Sequence, residues 1–482
     1  GRPDWCLSRQ RSWGVPLTVL TCTECNEVLK DASVCARIEE LFTKEGADAW
    51  FQHDAEDFIH DGVQCSCGST SFVKENDILD VWFDSGVSHA AVMEEREELR
   101  SPADLYLEGS DQHRGWFQSS LLTAVGTRDQ APFKGVLTHG YVVDGKGKKM
   151  SKSIGNVIAP QEMIDKFGAE ILRLWVSSED YRDDVKVSEE ILRRVSDAYR
   201  KLRNTLRFLL SNLNDFDPTA DSVGAEAFSE MDRWALARFA ELVRRVDRAY
   251  TEYEFHAIYH GLLNFCGTTI SSLYMDVLKD RLYCSAPNDS GRRAAQTVIY
   301  RILDGLLRLM APILSVTSAE AWEHLHGLDQ QSPIEESVLF VDFPQVDDIA
   351  PDAAMDARWE RLLALRGEIT KVLEAARRDK TIGLSLDAEV LIQADADTSA
   401  FLKENQGLLQ ELCIVSALRL VTESGDAAFV ASEEIEGFQV AVRPAPGNKC
   451  ERCWTISPTV GEDTEHSALC SRCLAVVKEL AG

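Results

Sequence analysis

The chain has 482 residues, 45% of them hydrophobic, with 79 acidic against 51 basic side chains and a formal net charge of −28. Such a length gives a globular protein of three or four domains, and such a charge argues against indiscriminate binding of nucleic acid, whose phosphates it repels. One specific RNA docked on a local basic stripe stays open. No run of 18 or more apolar residues occurs and no basic-then-apolar leader opens the sequence, so the expectation is a cytoplasmic protein without a membrane partner.

Residues 1–20 mix Trp, Arg and apolar side chains, with a strand expected over Val15–Leu20. Because Gly1 opens what reads as a structured segment, the chain is expected to be the C-terminal part of a longer protein. Residues 21–76 hold five cysteines, of which Cys35 stands alone, and a helical stretch around Ala36–Glu45. Cys22-x-x-Cys25 makes a good metal knuckle, while the one-residue spacing of Cys65-x-Cys67 is less common. Gly68 after it suits a tight turn. These four are a candidate structural zinc site.

From Asp77 to Val187 short apolar strands alternate with helices, the pattern of an α/β domain. Val136–Val143 reads as a strand, Pro160–Phe167 and Ala169–Val176 as helices. Over 188–345 the apolar spacing becomes three and four residues. Glu189–Leu213, Glu226–Tyr253, Phe255–Lys279 and Gly291–Leu314 then form an antiparallel helix bundle. Arg193, Arg200, Arg203 and Arg207 step by seven, three and four, so they share one helix face. That stripe either tracks an RNA backbone or pairs with nearby Glu189, Glu190 and Asp197.

Pro333–Asp352 reads as a linker. The segment 346–443 is an α/β junction, with a helix at Ala353–Arg378 and short strands around a second helix at Ser399–Glu411. In 444–482, Cys450-x-x-Cys453 and Cys470-x-x-Cys473 stand 16 residues apart, the spacing of a four-cysteine zinc ribbon. Such a closed site folds a module with little core of its own. Lys449, Arg452 and Arg472 flank its knuckles, as phosphate contacts or as solvated charges.

The segment that carries chemistry is Lys149-Met150-Ser151-Lys152-Ser153, after Gly145-Lys146-Gly147-Lys148 and before Ile154-Gly155-Asn156. Ammonium groups and hydroxyls on a Gly-hinged loop can close over a polyphosphate and neutralise charge on departing pyrophosphate. On composition alone the blander reading, a Lys-rich surface turn, is the better one. Order and context change that. The loop resembles the KMSKS motif of class I aminoacyl-tRNA synthetases, and three upstream segments resemble the same family in the same order. They are Arg2–Pro16, Asp80–Gly86 and Tyr106–Phe117. The wording of Gly109–Thr123 and the terminal four-cysteine module is similar to isoleucyl enzymes of bacterial type, with valyl and leucyl enzymes as the alternatives.

This resemblance implies an ATP-dependent activation of L-isoleucine, with Mg2+, and its transfer to tRNA(Ile). Lys149 and Lys152 would be catalytic, with Lys152, Ser151 and Ser153 on the ATP phosphates. Glu108 would meet the ammonium of the adenylate, Gly109 would let the backbone approach, and Asp111 with Gln112 would hold the ribose. Trp116 and Trp82 would wall the aliphatic pocket, unless they are plain core aromatics. The fold implied is a partial Rossmann-like catalytic domain, with 1–20 returning from an editing insertion, 21–76 the zinc insertion and 77–187 the KMSKS-bearing half. The bundle at 188–345 would bind the anticodon stem-loop, and the whole enzyme would be a monomer. The family's HIGH motif does not occur in these residues. The chain alone is therefore expected to be inactive, a tRNA-binding piece or half of a split enzyme being the other readings.

Overall fold

A computed structural model describes residues 4–329, 331–422 and 428–481. It divides into two compact units, Gly1–Val142 with Tyr181–Val185, and Val143–Asp180 with Lys186–Gly482.

The first unit is organised around a parallel strand pair, Ala103–Gly109 and Phe133–His139, in register from Ala103↔Phe133 to Gly109↔His139. Helix Trp116–Arg128 is the crossover that a parallel pair requires. Tyr106 is buried beneath it, stacked on Trp116 at 4.2 Å and hydrogen-bonded to Ser120 at 3.1 Å. The insertion ahead of this pair has its own core. Strand Leu20–Cys22 pairs antiparallel with Phe72–Lys74 over fully buried Trp50 and Phe58, whose rings lie 4.8 Å apart. Its helix, Ala32–Glu45, starts where the Asp31 carboxylate accepts the Ser33 N–H.

Buried Asp80 joins two of the sequence motifs. It caps helix Val81–Gly86 through the Trp82 N–H, accepts the Trp5 indole N–H at 3.0 Å and pairs with Arg9. The expected strand Val15–Leu20 shrinks to Leu20–Cys22, because Pro16 has no N–H for a ladder and its neighbours bond singly to residues 77–79. Strand Val136–Val143 likewise ends at His139. The Gly140 N–H turns aside to the Tyr181 carbonyl, so close that a Cβ at 140 would lie 2.3 Å from the Asp183 oxygen.

The second unit carries the lysine loop and the bundle together. After the loop come helices Pro160–Phe167 and Ala169–Ser178. Glu170 caps a bundle helix, Ser315–His326, by accepting the Val316 N–H at 2.8 Å, and the Arg173 Nε donates to the Ile313 carbonyl at 2.9 Å. Compact packing thus changes at Val143 rather than at residue 188.

Helices Glu189–Ser211, Glu230–Thr251 and Ser290–Met310 bury continuous apolar stripes, as their spacing requires. Phe255–Lys279 is not one α-helix. It is α over Phe255–Asn264 and widens to π geometry over Phe265–Tyr274. The Gly291–Leu314 expectation stops at Met310, and Ser315–His326 begins after the Pro312 turn as a helix of its own. Helix Ala353–Arg378 runs as expected from its Asp352 cap, with Trp359 stacked on Trp234 at 4.5 Å. A four-stranded sheet follows, Ala417–Leu420, Ala388–Gln393, Gln439–Pro444 and Val430–Ala431 in spatial order, with helix Ala396–Cys413 between the first two in sequence. No helix among the described residues is long and apolar enough to cross a membrane.

Candidate functional site

In the first unit the candidate adenylate residues lie at the carboxyl ends of the parallel strands, where open α/β sheets bind ligands. Glu108 and Gly109 end one strand, and His139 ends the other with its Nε2 4.0 Å from the exposed Glu108 carboxylate. A Cβ on Gly109 would come within 2.7 Å of the Asp111 Oδ1, so a side chain here would push the Asp111 carboxylate aside. Burial raises the Tyr141 phenol pKa, and the Asp111 carboxylate beside it adds to the effect. Gln112 has a local task. Its Oε1 accepts the Trp116 N–H at 3.0 Å, and its amide donates to Asp111 at 3.1 Å.

The two tryptophans differ. Trp116 is part-buried, stacked on Tyr106 and bonded through its indole N–H to the Ser85 carbonyl at 3.0 Å. Trp82 is 43% exposed and lies against Gly115, where a Cβ would come 3.1 Å from its ring. Of the pair, Trp82 has a free ring surface.

In the second unit Asp144 and Asn156 tie the lysine loop at its base. The Asp144 carboxylate accepts the N–H groups of Lys146 and Lys148 at 2.9 Å each and the Asn156 amide at 2.9 Å. Asn156 in turn accepts the Ser151 N–H at 2.9 Å. The Asn156 amide, followed by the Lys148 N–H, holds the Asp144 carboxyl below its ordinary pKa. Gly147 and Gly155 take positive φ, +77° and +73°, which lets the loop turn sharply at both ends. Lys149, Lys152 and Ser153 are exposed, with the Ser151 and Ser153 hydroxyls 3.1 Å apart. Among the described residues neither Lys149 nor Lys152 has an ion-pair partner, so both ammonium groups face solvent. Asp144 and Asn156 received no role from sequence alone, although a lone Asp and a lone Asn bracketing a lysine-rich loop is the pattern of such a tie.

Both cysteine sets converge. The four sulfurs of each lie within 4.8 Å of one another. A tetrahedron with metal–sulfur bonds near 2.3 Å has edges of about 3.8 Å. Cys453–Cys470 is 3.8 Å, Cys22–Cys67 3.7 Å and Cys25–Cys65 3.4 Å, too long for disulfides and right for one shared ion. Burial raises the Cys450 thiol, but the N–H groups of Cys453, Cys470 and Arg452 outweigh it and bring the pKa down to about 6. The Cys25 N–H first, with Cys65 and other neighbours, brings Cys22 to about 6. The backbone N–H of Cys67 lowers the Cys65 thiol as well, so each set has at least one thiolate-prone sulfur, which suits a divalent cation. The Cys450 set is wholly buried, whereas Cys25 and Cys67 are exposed.

The knuckle arginines of the terminal module have partners within the chain. Arg472 donates to Asp280 through both Nη atoms, at 2.5 and 2.7 Å, and Arg452 bonds the Cys284 carbonyl. They dock the module on the bundle. A groove of about 1200 Å3 remains beside them, lined by Arg281, Tyr283, Arg366, Arg377 and Trp454. On the stripe, Arg193 pairs with Glu189 at 2.5 Å, Arg200 with Asp197 at 2.6 Å and Arg203 with Glu320 at 3.7 Å, while Arg207 has no ion pair among the described residues. All four stay exposed.

Comparison with known proteins gives these sites a family. Residues 1–188 match the model "tRNA synthetases class I (I, L, M and V)", 232–392 the "Anticodon-binding domain of tRNA ligase", and 447–476 the "Zinc finger found in FPG and IleRS". The chain is 61% identical over 479 residues to an isoleucine–tRNA ligase of Desulfotalea psychrophila, covering 99% of this chain and 51% of that protein. It is 53% identical to that of Syntrophotalea carbinolica and 52% to that of Geobacter sulfurreducens, with the same coverage of each. The chain thus spans about half the length of the curated relatives it matches. Among solved structures, LeuRS of Agrobacterium radiobacter K84, in a ternary complex with tRNA and LeuAMS, matches at TM-score 0.51 and 19% identity, over 72% of this chain and 42% of that one. That likeness concerns fold alone. The three family models fall in order along the chain, which over nearly its whole length is similar to isoleucine–tRNA ligases.

Proposed function

We propose that this chain works as part of an isoleucine–tRNA ligase, which activates L-isoleucine with ATP and Mg2+ and transfers it to tRNA(Ile). The observation that carries this reading is the 61% identity to a ligase of that name over nearly the whole chain. In this reading Lys149 and Lys152 are the catalytic cations. Their unpaired ammonium groups, with the Ser151 and Ser153 hydroxyls, meet the ATP phosphates and stabilise charge as pyrophosphate leaves. Glu108 receives the substrate ammonium, Gly109 gives the adenylate room, and Asp111 and Gln112 bind the ribose. Trp82 walls the aliphatic pocket, with Trp116 behind it as a support.

Arg193, Arg200, Arg203 and Arg207 are proposed contacts to tRNA phosphates. Exposed ion pairs such as theirs contribute about 0–1 kcal/mol each, so they exchange for phosphate at little cost. Cys450, Cys453, Cys470 and Cys473 hold one zinc ion, and Cys22, Cys25, Cys65 and Cys67 a second. Both sites are structural, since four thiolates leave no open position. The enzyme is cytoplasmic and monomeric.

The HIGH motif does not occur in the 482 residues, so activation needs residues that they do not contain. A tRNA-binding role for the chain by itself is therefore the second reading, favoured by the half-length coverage. Two assays separate the readings. Isoleucine-dependent ATP–pyrophosphate exchange is expected only when the chain is mixed with the remaining part of a relative such as the Desulfotalea enzyme. The chain alone is expected to bind tRNA(Ile) in preference to another tRNA. Failure of both would overturn the assignment.

A further inference from the structure

The sheet of the junction domain holds a charge arrangement unlike any other ion pair described above. Glu389 sits in its central strand, flanked by Ala417–Leu420 on one side and Gln439–Pro444 on the other. Pairing puts Arg443 directly opposite Glu389, and Arg419 two residues beyond its other partner, Ala417. Since side chains alternate faces along a strand, Glu389, Arg443 and Arg419 share one face. The Glu389 side chain is 0% exposed, whereas those of Arg419 and Arg443 are 59% and 55% exposed. A carboxylate is thus sealed under two guanidinium stems that keep their ends in water.

The contacts leave those ends free. Arg443 donates its Nε to Oε2 at 2.6 Å. The Arg419 Nε stands 2.8 Å from Oε1 without hydrogen-bond geometry, so Oε1 has no hydrogen-bond partner. Among the described residues, no Nη atom of either arginine has a partner. One guanidinium would cancel the buried charge. A second leaves a surplus of +1, fixed in place, on a chain whose net charge is −28. Two residues before Glu389, Asp387 pairs with Lys449 at 3.5 Å, and that ammonium lies 5.8 Å from the ring of Trp454.

We infer that Arg419 and Arg443, held from below by Glu389, form a phosphodiester clamp that grips the backbone of a bound RNA. The guanidinium fork matches two phosphate oxygens, and holding Arg443 by its Nε hydrogen bond and Arg419 by its ion pair limits rotamer freedom before the ligand arrives. The stripe on the bundle differs, because the acids that Arg193, Arg200 and Arg203 meet are themselves exposed, whereas Glu389 is sealed. The inference rests on the proposed reading that the RNA is tRNA.

Its test is salt-dependent binding of a tRNA(Ile) transcript, and of a second tRNA of equal length, by the full chain and by Arg419→Gln/Glu389→Gln/Arg443→Gln. This triple variant removes all three charges, so no buried carboxylate is stranded. The clamp predicts about tenfold weaker binding and a log–log salt slope smaller by roughly 1 to 2, one phosphate contact contributing about 0.7–0.9. An unchanged slope and affinity with intact folding would overturn it. Should the triple variant not fold, Arg419→Lys/Arg443→Lys keeps a cation over Glu389 but loses the forks. It is expected to melt like the parent and bind several-fold more weakly, and equal binding would again overturn the clamp. If the parent binds both tRNAs equally while the variants lose affinity for both, the clamp stands and the tRNA(Ile) reading fails.

Discussion

Arg472, between the last two cysteines of the terminal module, grips Asp280 of the helical bundle with both Nη atoms, at 2.5 and 2.7 Å. The Asp280 carboxylate in turn keeps this guanidinium firmly protonated. Arg452 makes the matching contact from the first knuckle, to the Cys284 carbonyl. A metal that fixes the knuckles therefore also fixes how the module sits on the bundle.

Metal removal should release that docking. Chelation of zinc, or Cys473→Ser, is expected to speed tryptic cleavage at Arg452 and Arg472 at least tenfold while the bundle helices stay protected. Limited proteolysis with mass analysis reads this directly. Asp280→Asn with zinc retained should accelerate the same cuts more modestly, since a half-exposed pair contributes only about 1 kcal/mol or less.

A second prediction concerns the bundle core. Asp232 is fully buried, accepting from Arg281 at 2.7 Å, from the Tyr274 hydroxyl at 2.7 Å and from Ser229 at 2.6 Å. Arg281→Met leaves that carboxylate without a cation. The expected loss is about 3–5 kcal/mol, read as a lower urea midpoint at unchanged slope. A loss below about 1 kcal/mol would mean that the hydroxyls alone suffice.

Acid should protonate Asp215 late. The Arg292 fork, at 2.8 and 2.9 Å, with Gln296 and Arg293, holds its pKa at about 2 against an ordinary 3.8. A depressed folded-state value stabilises above the unfolded one and is lost as pH falls from 3.8 towards 2. The stability gap between the parent and Asp215→Asn should be constant at neutral pH and close across that window. Because the carboxylate is 44% exposed, solvent screening keeps the gap to about 1 kcal/mol or less. Intrinsic fluorescence during acid titration measures it.

The lysine loop offers the functional test. Lys149→Ala and Lys152→Ala should each lower isoleucine-dependent pyrophosphate exchange in the completed enzyme by about 10²–10³, the loss typical of one group that stabilises developing charge. Neither should shift the melting temperature, since both side chains are exposed and unpaired. Asn156→Ala should lower exchange similarly by untying the loop from Asp144, which circular dichroism of the folded variant separates from general unfolding.

Much of this was open to reading in the amino-acid order alone, because it depends on short-range geometry. Two Cys-x-x-Cys knuckles at this spacing suit one shared ion, Asp352 and Asp31 mark helix starts by capping the next turn, and apolar side chains three and four apart place the bundle helices. The lysine loop is likewise a run of neighbours. What the order of residues left undecided depends on distance. Trp5 meets Asp80 across 75 positions, Arg443 meets Glu389 across 54 and Arg472 meets Asp280 across 192. An exposed arginine looks the same in sequence whether it faces water, an acid on its own helix or a carboxylate sealed under a distant strand. Only the folded chain assigns its partner, since charge and hydrogen-bond energies depend on separation in space, and packing sets that separation.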